Sequence, residues 1–377
     1  MQTTSQPFVL GRPEVTHRNA ASLRAPAMPS IITIELTTRC NNHCSGCANI
    51  DLVRRRQQQM DHLGVMTGWR ALLLRLAEET APASCILRFS GGEPTLHPEF
   101  EQIVRLADEL GFPHALLSTG KWTPGRAKSL LDLYQNCRNA VGFLISLHGA
   151  DAAAHHAFTE SGLSSFGITC NNIRHVADAG IRVFTNTVIT RANWNQIGDI
   201  TRLSASLGGA CAVFNRFIAI EHPLLPSEAQ LKNAAQEVLA LKRDGIPCRL
   251  GNSMPKCFLK MSSYPSVAGF EMAYISVDGK VKPDNLTQQS FGDFPQKSLS
   301  DIWQSAQAWR YREGFPDSCL QCAVLPACRG GVKSLFSDTP MHVYDPLIVG
   351  PLTLEDIIDI DEDKDKSHLD VLALTSD

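Results

Sequence analysis

Three cysteines near the start of the chain are spaced to hold a metal cluster: Cys40, Cys44 and Cys47, in the run Arg39-Cys-Asn-Asn-His-Cys-Ser-Gly-Cys47. The pattern C-x3-C-x2-C puts three thiolates on one tight loop. Soft thiolates suit three irons of a cubane cluster and leave the fourth iron without a protein ligand. An open metal position marks chemistry rather than structure, as it does in zinc proteins. The alternative is a structural zinc site. That would need a fourth ligand, and His43, inside the triad, would strain to reach the same metal.

A second motif lies about 50 residues further on, Phe89-Ser-Gly-Gly-Glu-Pro94. Its two glycines let the main chain approach a ligand with no Cβ in the way. Both motifs follow strand-like runs, Ile31-Ile-Thr-Ile-Glu-Leu36 and Cys85-Ile-Leu-Arg-Phe89. Further strands are expected at 114–118, 142–147, 182–189 and 212–218. Helical patterns lie between the strands at about 67–79, 98–110, 124–135, 167–180 and 193–207, and another follows at 227–243. Such alternation predicts a parallel sheet with right-handed crossovers, an α/β fold. In α/β barrels the functional groups sit at the C-terminal strand ends, where both motifs fall.

The two motifs together resemble the radical SAM superfamily. The resemblance implies a partial (β/α)6 barrel. It also implies a [4Fe–4S] cluster on Cys40, Cys44 and Cys47, whose open iron chelates S-adenosylmethionine (SAM). Reductive cleavage of SAM then yields a 5′-deoxyadenosyl radical that takes a hydrogen atom from the substrate. By the same resemblance Gly91, Gly92 and Glu93 accept hydrogen bonds from the SAM amino group. Polar groups at later strand ends, Ser118-Thr119-Gly120, Ser146 and Asn186, are candidates for the ribose and the methionine carboxylate. The alternative for Ser and Asn there is a turn or cap. His148 is a candidate proton donor or substrate contact, or else a hydrogen-bonded structural histidine. One position departs from the family pattern. An aromatic usually precedes the third cysteine, packed near adenine, and here it is Gly46. Adenine packing is then expected from elsewhere, with Trp122 and Ile189 as candidates.

A second cysteine group, Cys319-Leu-Gln-Cys322-Ala-Val-Leu-Pro-Ala-Cys328, has the spacing C-x2-C-x5-C. It resembles the SPASM extension, together with Ala268-Gly269, Ile275-Ser-Val-Asp-Gly-Lys-Val-Lys-Pro283 and Leu299-Ser-Asp-Ile-Trp303. A full SPASM domain holds two auxiliary clusters. The positions for the inner one are Ser266, Asp284 and Val332, none of them cysteine. One auxiliary [4Fe–4S] cluster is therefore expected, on Cys319, Cys322 and Cys328. No cysteine follows Cys328, so its fourth ligand is open among His342, Tyr344, Asp345, solvent and substrate; zinc is the alternative metal. Cys257 reads as a structural cysteine or as a hydrogen-atom donor to a substrate radical. Cys85, Cys137, Cys170, Cys211 and Cys248 read mostly as buried small hydrophobes. Asn285 stands where anaerobic sulfatase-maturating enzymes carry a catalytic Asp, so that chemistry is not expected.

The 377 residues are 44% hydrophobic and carry a net charge of −3, against nucleic acid as the main partner. No apolar run is long enough for a membrane, and Met1-Gln-Thr-Thr-Ser-Gln lacks a signal-peptide pattern. The expected location is the cytoplasm, where metal binding by cysteine is favoured over disulfides. Four regions are expected: a flexible segment 1–28, the barrel 29–245, the SPASM-like domain 246–350 and an acidic tail 351–377. No winged-helix peptide-recognition domain is expected before Cys40, for want of room. The resemblance implies a ribosomally made precursor peptide as substrate, to be crosslinked, epimerised or oxidised, or a small metabolite such as an aminoglycoside. A non-catalytic metal-binding scaffold is the remote alternative. Implied partners are a reductase such as flavodoxin or ferredoxin and a separate peptide-recognition protein.

Overall fold

The computed structural model describes residues 25–49, 53, 64–219, 221–252, 254–260, 266–333 and 344–353. His342 and most of the two end segments lie outside the described residues. Six strand–helix steps carry the chain around a curved sheet, in the order the sequence predicts. They are β1 (Ile31–Thr37), α1 (Trp69–Glu79), β2 (Ile86–Gly91), α2 (Phe100–Glu109), β3 (His114–Ser118), α3 (Pro124–Gln135), β4 (Ala140–Ser146), α4 (Ala152–Thr159), α5 (Ser164–Asp178), β5 (Val183–Ile189), α6 (Ile197–Ser206), β6 (Cys211–Arg216) and α7 (Glu228–Arg243). Each strand pairs in parallel with the next.

Local sequence explains the helix boundaries. Phe100, Ile103, Val104 and Ala107 recur at helical spacing and are all buried on one face of α2. Thr123 caps α3 through its side chain, with Pro124 at the first helical position. Ser227 and Gln230 form a capping box at the start of α7. The outward strand residues Ile32, Ile34, Leu87, Phe89, Leu116, Phe143 and Ile145 bury against Leu72, Leu76, Ile103, Leu130, Leu133 and Ile173 of the helices. The inward residues line the barrel, with Ala115, Phe184 and Val213 packed together inside it.

The sheet runs past residue 245. A three-residue β7 (Cys248–Leu250) pairs in parallel with β6, and β8 (Met272–Ile275) pairs in parallel with the other side of β1. The antiparallel strands β9 (Lys280–Lys282) and β10 (Gly292–Asp293) extend the edge beyond β8. The six-unit barrel is thus flanked by two more parallel strands, giving the order β10-β9-β8-β1-β2-β3-β4-β5-β6-β7. The short helices α8 (Lys256–Leu259), α9 (Leu299–Trp303), α10 (Ala306–Glu313), α11 (Asp317–Leu320) and α12 (Leu325–Cys328) follow in the C-terminal part. Phe270, Phe315, Cys319, Cys322, Val324, Leu325 and Leu352 form a separate small core there.

Candidate active site

The cysteine loop leaves the C-terminal end of β1 and is held from four sides. From the glycine motif, Gly92 N–H donates to Thr37 O and Glu93 N–H to Arg39 O, both at 2.7 Å. Beyond β3, Lys121 Nζ donates to Asn41 O at 2.7 Å and Asn41 Nδ2 donates to Lys121 O at 2.8 Å. At the end of α4, Thr159 O and Phe158 O accept from the N–H groups of His43 and Ser45 at 3.1 and 3.0 Å. Past β6, His222 Nε2 lies 3.0 Å from Ser45 O. Backbone bonds of this kind fix a loop better than side-chain contacts, because they leave few torsions free.

The glycine motif and the cysteine loop are one unit. A Cβ at Gly92 would lie 2.2 Å from Arg39 O, and one at Gly91 would lie 2.3 Å from Thr37 O. The two glycines therefore serve the approach of the cysteine loop itself. Glu93 differs from expectation. It is 0% exposed, and its carboxylate accepts from Ser118 Oγ at 2.8 and 2.9 Å, Thr119 N at 2.7 Å and Thr95 Oγ1 at 2.6 Å. Those bonds turn the carboxylate toward the end of β3, and it does not line the cavity described next.

A cavity of about 440 Å3 opens at the barrel mouth, within the usual range for a cofactor and a small substrate group. Cys40, Cys44, Cys47, Gly91, Gly92, Ser146 and Asn186 all line it. Ser146 and Asn186 are register partners on β4 and β5. Asn186 Oδ1 also accepts from Asn215 Nδ2, and Asn215 lines the same cavity. Sequence reasoning missed Asn215, although its inward parity on β6 was readable. His148 lines the cavity too, with Nδ1 accepting from Val188 N–H at 3.1 Å and its ring 4.4 Å from that of Phe158. Burial, and then the nearby His155, hold its pKa well below the usual histidine range, so it is neutral. A larger cleft of about 710 Å3 lies on the outside, between α3 and α5, and no cysteine lines it.

Gly46 faces an aromatic ring. A Cβ there would lie 1.9 Å from Phe217 Cε2, so the ring of Phe217, just past β6, fills the space a larger residue would need. Phe217, Phe158, Val188 and Ile218 form apolar cavity wall near the loop. Trp122 and Ile189, the expected replacements, do not line the cavity. Ile189 points outward into a core beside Phe214, and Trp122 packs edge-on to Phe143 with Nε1 donating to Ser118 Oγ at 3.0 Å.

In the C-terminal part, Cys319, Cys322 and Cys328 come together and are all buried. Desolvation pushes the Cys319 thiol up to about 12, so a thiolate there needs a bound cation. Ser266, Asp284 and Val332 line the barrel-mouth cavity. The Asp345 carboxylate, a candidate ligand, is otherwise engaged. It forms a bidentate pair with Arg216, with one contact at 2.9 Å, and accepts from Val332 N at 2.8 Å and Leu347 N at 3.0 Å. Its side chain and that of Arg216 are 0% and 3% exposed. Tyr344 Oη donates to Phe315 O at 3.3 Å. A buried pair broken on one side leaves an unpaired charge. Asp345→Ala is therefore expected to cost about 3–5 kcal/mol of stability, measured by denaturant unfolding.

Among the described residues, which include all twelve cysteines, there is no disulfide. Among the described residues, the one group of three metal-type ligands whose donor atoms all come within 4.8 Å is Asp108, His114 and Cys137. Its acid already caps the backbone of Arg138 and Asn139. Neither cysteine triad is that compact. Sulfurs around one tetrahedral zinc lie about 3.8 Å apart, given a Zn–S distance of about 2.3 Å. Each set offers three soft thiol donors, and that donor chemistry fits the iron–sulfur groups expected of them.

Comparisons with known proteins agree with this geometry. Residues 34–203 match the radical SAM superfamily and residues 267–323 match an iron–sulfur cluster-binding domain, SPASM; together they span more than half of the chain. The chain is 27% identical over 341 residues to the PqqA peptide cyclase of Ruegeria pomeroyi, covering 83% of this chain and 84% of that one. It is 23% identical over 333 residues to the tungsten-containing aldehyde ferredoxin oxidoreductase cofactor-modifying protein of Pyrococcus furiosus, covering 78% and 87%. In fold it is similar to Streptococcus suis SuiB bound to precursor peptide SuiA, with a TM-score of 0.67 and 14% identity over 92% of this chain and 83% of that one. Both matched segments bring cofactors with them: SAM with its [4Fe–4S] cluster, and auxiliary iron–sulfur. A barrel that clamps a C-x3-C-x2-C loop at its mouth, joined to a cysteine-bearing C-terminal part, places this enzyme in the radical SAM superfamily, in the branch with a SPASM domain.

Proposed function

We propose that this enzyme modifies a ribosomally made precursor peptide by removing a hydrogen atom from one of its side chains. One observation carries the reading. The cavity that begins at Cys40, Cys44 and Cys47 continues to Ser266, Val267, Ala268, Asp284, Asn285, Leu286 and Val332 of the C-terminal part. It thus offers room for a projecting side chain beside the cofactor, under a roof from the second domain. The relatives named peptide cyclases support the same reading. The relative named for cofactor modification supports a second one, a small-metabolite substrate.

In this reading residues 29–245 are the barrel domain and 246–350 the auxiliary domain. Cys40, Cys44 and Cys47 hold the SAM cluster, and Cys319, Cys322 and Cys328 hold an auxiliary cluster. When bound, the first group supplies the electron that splits SAM into methionine and a 5′-deoxyadenosyl radical. The protein does the rest by position and by excluding water. Gly91 and Gly92 keep the cysteine loop in register and present backbone to the SAM amino group. Ser146 and Asn186 orient ribose and carboxylate, and Glu93 braces Ser118 and Thr119 behind them. His148, neutral, orients by hydrogen bond rather than by charge. The electron donor is a cytoplasmic reductase such as flavodoxin or ferredoxin, and a separate recognition protein delivers the peptide.

Phe217 is the apolar wall for adenine in place of a residue at 46. Phe217→Ala is expected to weaken SAM binding about threefold to tenfold, the worth of one aromatic contact, as read by equilibrium dialysis. Gly46→Phe alone cannot fit and should lose cluster iron, whereas Gly46→Phe combined with Phe217→Gly should recover both iron and SAM binding.

The functional reading is tested by anaerobic incubation of the reduced enzyme, SAM and candidate precursor peptides, followed by mass spectrometry. A peptide altered at a single residue or crosslink supports it. Turnover of a small metabolite with every peptide unchanged overturns it.

A further inference from the structure

The auxiliary cysteines are joined by a fourth thiol that comes from before them in the chain. Cys257 lies on the single-turn helix α8 and packs into the same small core as Cys319 and Cys322. It is within electrostatic reach of both Cys319 and Cys328. Its neighbour Lys256 donates its backbone N–H to Cys328 Sγ at 3.4 Å, so α8 docks directly on the third cysteine. Cys257 Sγ itself accepts from Val349 N–H at 3.4 Å, and Cys322 Sγ accepts from Leu352 N–H at 3.3 Å. Backbone N–H groups aimed at several sulfurs are what a thiolate-bound cluster uses to spread its negative charge. A buried lysine lies beside this set. Lys333 lies near Cys319, 3.5 Å above the Phe315 ring, and donates to Tyr311 O and Arg312 O at 3.1 and 2.6 Å.

Two of the other candidates for the fourth position, both among the described residues, are taken up elsewhere. Asp345 is held by Arg216, and Tyr344 donates to a carbonyl. Cys257 is not among the residues that line the barrel-mouth cavity, which removes it from hydrogen-atom donation to a substrate there.

We infer that Cys257 is the fourth thiolate of the auxiliary iron–sulfur cluster, closing the site with Cys319, Cys322 and Cys328. The inference rests on the iron–sulfur reading of this domain and not on the identity of the substrate. A cluster closed by four cysteines has no iron free to ligate a substrate, so its service is electron relay or bracing of the domain.

The test uses the full chain with Cys40, Cys44 and Cys47 replaced by Ala, which isolates the auxiliary site. After anaerobic reconstitution this chain should hold about four irons. Adding Cys257→Ala should leave about three, with the EPR signal of an oxidised three-iron cluster. Adding Cys257→Ser, which keeps the side-chain size, should hold about four irons with an altered spectrum in the reduced state. His342→Ala should change neither. An unchanged iron count and spectrum in Cys257→Ala overturns the inference, as does a spectrum that responds to His342→Ala instead. Zinc in place of iron in the parent chain overturns it as well. None of these readouts uses SAM or a peptide, so failure of the peptide reading is seen separately, in the mass spectra.

Discussion

Replacing Cys40, Cys44 and Cys47 together by Ala is expected to abolish 5′-deoxyadenosine formation and to remove about half of the iron, from roughly seven or eight atoms per chain to about four. The loss should be complete rather than graded. In the proposed assignment three thiolates carry the whole attachment of the SAM cluster, and no other cysteine lines the barrel mouth. The retained half is assigned to the C-terminal set, of which Cys319 and Cys322 lie in a separate small core. Product is measured by liquid chromatography against a no-enzyme background, and iron by a colorimetric assay on the same samples. Residual 5′-deoxyadenosine above background would refute the assignment of the triad. An iron content near four in the parent chain, with zinc making up the remainder, would refute the second cluster.

Gly92→Ala should be nearly as damaging, although it adds only a single methyl group. That methyl would sit 2.2 Å from Arg39 O, 2.7 Å from Arg39 C and 2.9 Å from Cys40 Cβ. None of these is the far end of a flexible side chain, so the cysteine loop itself must move. The movement breaks the 2.7 Å bonds from Gly92 N–H and Glu93 N–H that hold Thr37 and Arg39. Displacing a reacting group by about 1 Å costs about a hundredfold in rate. SAM cleavage is accordingly expected to fall about a hundredfold or more, with the loss of iron confined to the SAM cluster. Retention of full activity in Gly92→Ala would show that the loop is not clamped there.

Much of the barrel was legible because its signals are local. The strand runs, the cysteine loop and the glycine motif each lie within a dozen residues, and strand parity alone points Asn186 inward. The same parity would have placed Ile189 outward, away from any cofactor, so that candidate was avoidable. What the sequence hid is what depends on distant partners. Phe217 meets Gly46 only through the closing of the barrel, and no spacing rule links them. Cys257 gave no sign of its place in sequence, since it stands 62 residues before Cys319, whereas α8 packs it against the core that holds Cys319 and Cys322. Helix α4 was missed because Ala152-Ala-Ala-His-His carries no clear amphipathic stripe, yet its last carbonyls hold the cysteine loop. Glu93 was read by its motif, and only the structure shows its carboxylate spent on Ser118 and Thr119.

The pairing of β8 with β1 sets an order of events during synthesis. One of the two neighbours of the strand that launches the cysteine loop, Met272–Ile275, is synthesised some 240 residues after it. Until then Ile31-Ile-Thr-Ile-Glu-Leu36 is an open edge of β-branched, apolar sequence, the kind that templates pairing with other chains. A polypeptide cut at residue 245 would keep that edge open permanently, so the apparent catalytic half is not a safe unit to express alone. The C-terminal part therefore does more than carry cysteines: its strand Met272–Ile275 seals the edge of the strand from which the reactive loop departs.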